Sequence, residues 1–379
     1  MTEFDDIRPY NKNEIPGAIS ELVSDPMFVS IVDRLYNQPG EKEGLLKLLS
    51  TIDNVDDFQE KIICPLLLYI EKISTNGITF SEVEQFHQEE KYLFISNHRD
   101  IILDSALLNL IMHKRGIRKT EIAIGDNLLI YDWIKKMVRI NRSFIVKRNL
   151  GLREQLEASK KLSSYIRYTL AQKGESIWLA QREGRTKNGN DLTQPAILKM
   201  LNMSNSGSLL EGFFELNIVP LSISYEIEPC GISKVEELLK RKYNPNFEKS
   251  QQDDLKSMAN GIMSPKGGIH FAFGDPLNTR LVELIFGKNM NESIQAISEY
   301  INKTIYKNYK LWPNNFIAYD LLLNTTTHSD KYCASEKEAF VQRMKSEVAS
   351  IAFDQAEATE MYLQMYANPV VNFEKNIGQ

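Results

Sequence analysis

Between residues 92 and 273 the chain repeats one pattern: a short run of apolar, strand-forming residues, then a longer segment. The short runs are 92–96, 121–124, 143–146, 176–180, 218–224 and 269–273. Apolar residues at helical spacing fill 103–114, 128–139, 152–172 and 195–201 between them. A strand that is apolar throughout must be covered on both faces, and parallel strands need a crossover helix to return. The pattern therefore predicts an α/β fold, a mostly parallel sheet flanked by helices with right-handed crossovers. In such a sheet reactive groups collect at the carboxyl ends of the strands.

Helical additions are expected on either side. Residues 1–88 carry apolar stripes over 15–35, 44–52 and 56–73, with Pro16 near a start, Pro26 as an interruption and Pro65 as a kink. Asn76-Gly77 reads as the turn that closes this N-terminal helical layer. The α/β domain is expected over 89–325, with residues 243–266 as an excursion from the sheet and 281–309 as helix. A C-terminal helical extension is expected over 326–379, opened by the capping box Ser335-Glu-Lys-Glu338 and stopped at Asn368-Pro369.

Composition narrows the function. A net charge of −5 over 379 residues argues against a nucleic-acid partner, which calls for a basic excess. Cys64, Cys230 and Cys333 are far apart and odd in number, so neither a disulfide scaffold nor a metal site is expected, and a reducing cytosolic setting fits. The acidic N-terminus lacks the apolar core of a secretory signal. Apolar stretches such as 62–70 are far shorter than the roughly 20 residues of a membrane helix, so any membrane contact is peripheral.

The polar groups at the strand exits carry the chemistry. Asn97-His98 leaves the first run, and Asp100 and Asp104 follow before an apolar helix. A neutral imidazole can take a proton from a hydroxyl, and a carboxylate behind it fixes the tautomer. His98 is thus the candidate general base, with Asp104 or Asp100 as its partner. No acid occurs between Asp132 and Glu154, where Lys135, Lys136, Arg139, Arg142, Lys147, Arg148 and Arg153 fall. Of these Arg142, Lys147 and Arg148 flank a strand and suit phosphate recognition. Glu183-Gly184-Arg185 follows another strand and offers an acid, a bare backbone and a guanidinium. Pro220, in Ile218-Val219-Pro220, stands unusually inside a strand. A GxSxG elbow, a GxxxxGK[ST] loop and a GxGxxG turn are all missing from the sequence.

In order and separation these elements resemble the glycerophospholipid acyltransferase family, whose blocks are Asn-His-x4-Asp, a Phe-Ile-x-Arg-like strand, Glu-Gly-x-Arg and a Val-Pro strand. The counterparts are Asn97-His98…Asp104, Ser143-Phe-Ile-Val-Lys-Arg148, Glu183-Gly184-Arg185 and Ile218-Val-Pro220; Phe273-Gly-Asp-Pro276 resembles a later Gly-x-Pro segment. The resemblance spans about 90–280. Five residues, not four, separate His98 from Asp104, and Arg185 follows Gly184 with no residue between.

The resemblance implies transfer of a fatty acyl group from acyl-CoA or acyl carrier protein to a hydroxyl of glycerol-3-phosphate or its 1-acyl form. No metal and no bound cofactor are expected. His98 would be the base, with Asp104 or Asp100 behind it. Arg148, Glu183, Gly184, Arg185, Lys147 and Arg142 would serve the acceptor phosphate, and backbone near Val219-Pro220 the oxyanion. The expected partners are a lipid or glycerol-phosphate acceptor, an acyl thioester and a membrane surface, with the protein cytoplasmic and peripheral on the inner face. Trp133, Ile134 and Met137, beside the basic run, are candidate membrane contacts or core. Two alternatives remain at this point: a non-phosphate lyso-lipid as acceptor, and a non-catalytic lipid- or carrier-binding protein.

Overall fold

All six expected strands form, and a seventh joins them. The computed structural model describes residues 3–35, 40–81, 86–87 and 89–377; the expected boundary at residue 88 lies outside them, as do Met1, Thr2 and the last two residues. The strands are β1 (Thr75–Phe80), β2 (Leu93–Ser96), β3 (Glu121–Gly125), β4 (Ser143–Val146), β5 (Ile177–Ala180), β6 (Ile218–Tyr225) and β7 (Gly267–Phe273). They form one sheet in the order β1-β7-β6-β2-β5-β3-β4. Every neighbouring pair is parallel except β6 and β7.

β1 corrects the reading of Asn76-Gly77 as a turn. The pair lies inside the strand, where the register with β7 shifts between Thr75 and Ile78. Gly77 has φ +106. A glycine in that region serves a bulge as well as it serves a turn, and sequence does not separate the two.

The strands are apolar throughout because both faces are covered. Leu93 and Ile95 enter one core with Ile177, Leu179 and Tyr165 of helix Leu152–Tyr168. Phe94 and Trp178 enter the opposite core with Leu107 and Ile111 of helix Leu103–Lys114. Pro220 is tolerated in β6 because its carbonyl, and hence its missing N–H, faces the place where β7 has ended. That carbonyl accepts from Gly274 N, just past the strand. The exposed edge at β4 is covered by the N-terminal segment, with Ile145 N donating to Ile7 O.

The N-terminal helices Ile15–Ser24, Pro26–Leu35 and Glu41–Leu49 pack on helix Asp132–Ile140. Trp133 and Met137 pack against this core and Ile134 is buried, so all three serve the protein's interior rather than a free apolar face. No single described helix is long and apolar enough to cross a membrane. Helix Val55–Phe58 runs through a π-helical turn, Gln59–Ile63, into helix Cys64–Ser74, and Pro65 sits in the first turn of the last. The wide turn is the irregularity that Pro65 announced.

Two C-terminal expectations shift. Helix Ala334–Ala349 starts one residue after Cys333, whose N–H is held by Glu336 rather than by the box expected two residues later. Helix Gln355–Ile377 continues through Pro369 instead of stopping there. Proline removes the N–H that would bond the carbonyl of Met365. Gly189 of a neighbouring loop packs against that freed carbonyl, so close that a Cβ there would lie 2.2 Å from it. Asn368 Nδ2 donates to Asn188 O at 2.6 Å and fastens the same contact. Gly189 also has φ +74. Gly189→Ala should therefore lower stability by about 1–3 kcal/mol from the left-handed backbone alone, more with the clash, as a fall in the denaturant midpoint.

Candidate active site

His98 leaves the carboxyl end of β2 and meets Asp104 in the first turn of helix Leu103–Lys114. His98 Nδ1 stands 2.8 Å from Asp104 Oδ2. The same oxygen accepts from Arg99 N at 2.6 Å and Asp100 N at 3.0 Å. Asp104 Oδ1 accepts from the Tyr225 hydroxyl at 2.8 Å. Asp104 is fully buried, and every neighbour of its oxygens is a donor. That assigns the imidazole proton to Nδ1 and leaves Nε2 as an acceptor. Burial first, then Asp104, pushes the Tyr225 phenol well above its ordinary pKa, so Tyr225 stays a donor. The Trp178 ring meets the His98 ring edge-on at 5.5 Å and restricts its tilt.

The two carboxylates have separate tasks. Asp100 Oδ1 accepts from Ile102 N at 2.9 Å and Leu103 N at 2.8 Å, which caps the helix that carries Asp104. The extra residue is taken up in a turn at residues 101–102, and Asp104 folds back onto the backbone of 99 and 100. Asp100 is therefore not the partner of His98. Its Oδ2 has no hydrogen-bond partner among the described residues and lies against Gly261 of helix Gln251–Met263. Burial, with Asp104 second, raises its pKa.

Behind the loop sits a buried cluster with no motif to announce it. Asp191 accepts from Arg99 at 2.6 Å, Asn97 at 3.1 Å and the Tyr309 hydroxyl at 2.6 Å. Arg99 also reaches Glu228, and Lys234 bridges Glu228 to the Arg99 carbonyl. Burial would lower the Arg99 pKa, but Asp191 and Glu228 more than offset it and hold it raised. Four opposite-charged groups buried together balance one another, and removing one would strand its partners.

Arg148 lies past the end of β4. Its backbone N–H is held by Asp126 at 3.1 Å, and its guanidinium lies over Gly125, where a Cβ would come within 2.7 Å of Nε. Glu183 Oε1 stands 3.5 Å from Arg148, so the second and third sequence blocks meet. Gly184 has φ +68 and turns the chain inward. Arg185 is consequently buried beside the Cys230 thiol, its NH1 without a partner among the described residues. Burial raises the pKa of that thiol.

Four other expected site residues fall elsewhere. Arg142 precedes β4 and so lies at the amino end of the sheet, paired with Asp56 at 2.9 Å and Glu175 at 3.3 Å. Lys147 points to the opposite side from Arg148 and binds Asp6 at 2.8 Å. Lys136 pairs with Glu21 and Asp132. Lys136, Arg142 and Lys147 of the acid-free run are thus met by Glu21, Asp56 and Asp6 from distant stretches of the chain. Val219 and Pro220 are buried mid-strand, three residues before Ile223, whose backbone grips the Asn97 side chain. Pro220 has no N–H to offer an oxyanion, and the Val219 side chain is fully buried in the sheet. Among the described residues no cluster of three metal-ligating side chains forms.

Comparison with known proteins gives a family match. Residues 77–224 match the family model described as Acyltransferase. No curated protein sequence matches the chain. Among solved structures, a 1-acyl-sn-glycerophosphate (LPA) acyltransferase, PlsC from Thermotoga maritima, aligns over 77% of this chain and 91% of its own, with 10% identity and a TM-score of 0.37. The family match begins in β1 and ends one residue before the end of β6, and it encloses His98, Asp104, Arg148, Glu183 and Asp191.

Proposed function

From the match of residues 77–224 to the Acyltransferase family model, we propose that this chain is a glycerophospholipid acyltransferase that moves a fatty acyl group from an acyl thioester to a hydroxyl of glycerol-3-phosphate or 1-acylglycerol-3-phosphate. The observation that carries this reading is the His98–Asp104 pair, 2.8 Å apart, with Nε2 left as an acceptor on a ring that is only partly buried. His98 Nε2 takes the proton from the acceptor hydroxyl as Asp104 stabilises the imidazolium. The oxygen forms its bond to the thioester carbonyl, the C–S bond breaks, and the departing thiolate receives the proton from His98. No covalent enzyme intermediate is required; the protein's contribution is orientation and proton movement.

Arg148 is the residue proposed to hold the acceptor phosphate. Its strand exit is three strands from that of His98, roughly 14 Å by strand spacing. The side chain leans back by one strand over Gly125, which brings the guanidinium toward His98. Arg185, buried in the loop after β5, is the inner cation of the same site. The donor is acyl-CoA or acyl carrier protein, and the lipid product calls for peripheral contact with the cytoplasmic face of a membrane.

The test offers purified protein glycerol-3-phosphate and its 1-acyl form, each with CoA- and carrier-bound acyl groups. Arg148→Ala should raise the acceptor KM by about 10- to 100-fold, the worth of a hydrogen bond to a charged group, with little change in kcat. An unchanged acceptor KM would transfer the reading to a lyso-lipid without phosphate. Binding of vesicles or carrier without any turnover would sink the enzymatic proposal.

A further inference from the structure

Resting on the acyl-transfer reading above, we propose that Asp191 is the positioning residue of His98: one buried carboxylate fixes the backbone on both sides of the base. Asn97 and Arg99, the residues before and after His98, both donate their side chains to Asp191 Oδ2, at 3.1 and 2.6 Å. The carbonyl of His98 itself accepts from Thr186 N at 2.9 Å. Thr186 in turn donates its hydroxyl to Asp191 Oδ1 at 2.5 Å. So each neighbour of His98, and the partner of its carbonyl, is tied to the same group. The imidazole is left to point the other way, to Asp104.

Asp191 is held as firmly as it holds. It is fully buried, Tyr309 donates to its Oδ2 at 2.6 Å, and the Tyr306 hydroxyl donates to its backbone carbonyl. Both tyrosines lie at the end of helix Met290–Lys307 or just past it, which docks on the sheet core. The carboxylate thereby links the His98 loop, the loop after β5 and a core helix. A base must be held within a fraction of an ångström of its hydroxyl, and a shift of about 1 Å costs on the order of 10²-fold in rate. The geometry thus gives Asp191 an effect on rate without contact with either substrate.

Asp191→Asn keeps the volume and removes the charge that pairs with Arg99; its amide nitrogen either meets the donors of Oδ2 or takes the Oδ1 place and turns the Thr186 hydroxyl into an acceptor. The expected result is a kcat lower by about 10²-fold with KM for acceptor and donor within about twofold. Val348→Ala, in the C-terminal helical core, serves as a control that lowers stability and leaves kcat alone. Nitrogen-15 histidine spectra, assigned with His98→Asn, read the imidazole directly. Wild type should show the single Nδ1–H tautomer and Asp191→Asn an average of both. Tyr309→Phe, which removes one donor and no charge, should move both readouts the same way by a few-fold and covers the case in which Asp191→Asn does not fold. An unchanged kcat and tautomer, or a rate loss that Val348→Ala reproduces at equal melting temperature, overturns the proposal. If wild type transfers no acyl group, the acyl-transfer reading fails, and the tautomer still decides the positioning: averaging supports it and a retained single form refutes it.

Discussion

His98→Ala should lower acyl transfer by about 10²–10⁴-fold, the usual contribution of a positioned general base, while the fold survives. The ring is only partly buried and its neighbours keep their own anchors: Asp104 retains the N–H groups of Arg99 and Asp100 and the Tyr225 hydroxyl. Unfolding temperature should fall little. The loss should appear in kcat and in kcat/KM alike, because the proton is taken only as the transition state forms. A variant with more than about a tenth of wild-type kcat would remove His98 from the mechanism.

Asp104→Asn should cost as much in rate and more in stability. An amide has one acceptor oxygen, and the carboxylate it replaces accepts from four donors. In the Oδ2 place its NH2 group faces the backbone N–H groups of Arg99 and Asp100, and in the Oδ1 place it forces the Tyr225 hydroxyl to turn and accept, both in a fully buried site. The penalty is about 1–3 kcal/mol, read as a lowered denaturant midpoint. If the NH2 meets His98, it forces Nδ1 to accept, the proton moves to Nε2, and the base has no lone pair for the hydroxyl. A rate loss of at least about 10²-fold is expected. The contrast with Asp100→Asn separates the two acids: Asp100 accepts hydrogen bonds from the backbone of Ile102 and Leu103 and none from His98, so its change should weaken a helix cap by about 0.5–2 kcal/mol with kcat far less affected. Equal rate losses in the two variants would refute this division.

The strands and the order of the chemical groups along them were legible because both depend on local pattern. Apolar runs at 92–96 and 176–180 read as buried strands, and the polar groups straight after them as lying at carboxyl ends. The same rule, applied strictly, would have set Arg142 aside, since it precedes β4 and so belongs to the amino end. Lys147 and Arg148 differ by the alternation of a strand, which sends neighbours to opposite faces. The run of cations looked unpaired because Glu21, Asp6 and Asp56 that meet it come from a different stretch of chain.

The sequence by itself determined the sheet, its flanking helices, the exit that carries His98 and the match of residues 77–224 to the Acyltransferase family model, all of which depend on short-range pattern and fixed spacing. Only the tertiary structure decided which acid orients the base, that Arg185 turns inward, and that Asp191 gathers Asn97, Arg99 and Thr186. Those choices rest on burial and on hydrogen bonds between residues far apart in sequence, 121 positions in the pair Asp104 and Tyr225 and 118 in the pair Asp191 and Tyr309. A one-dimensional pattern fixes which face of an element is apolar; which buried polar groups satisfy one another depends on how those elements are packed.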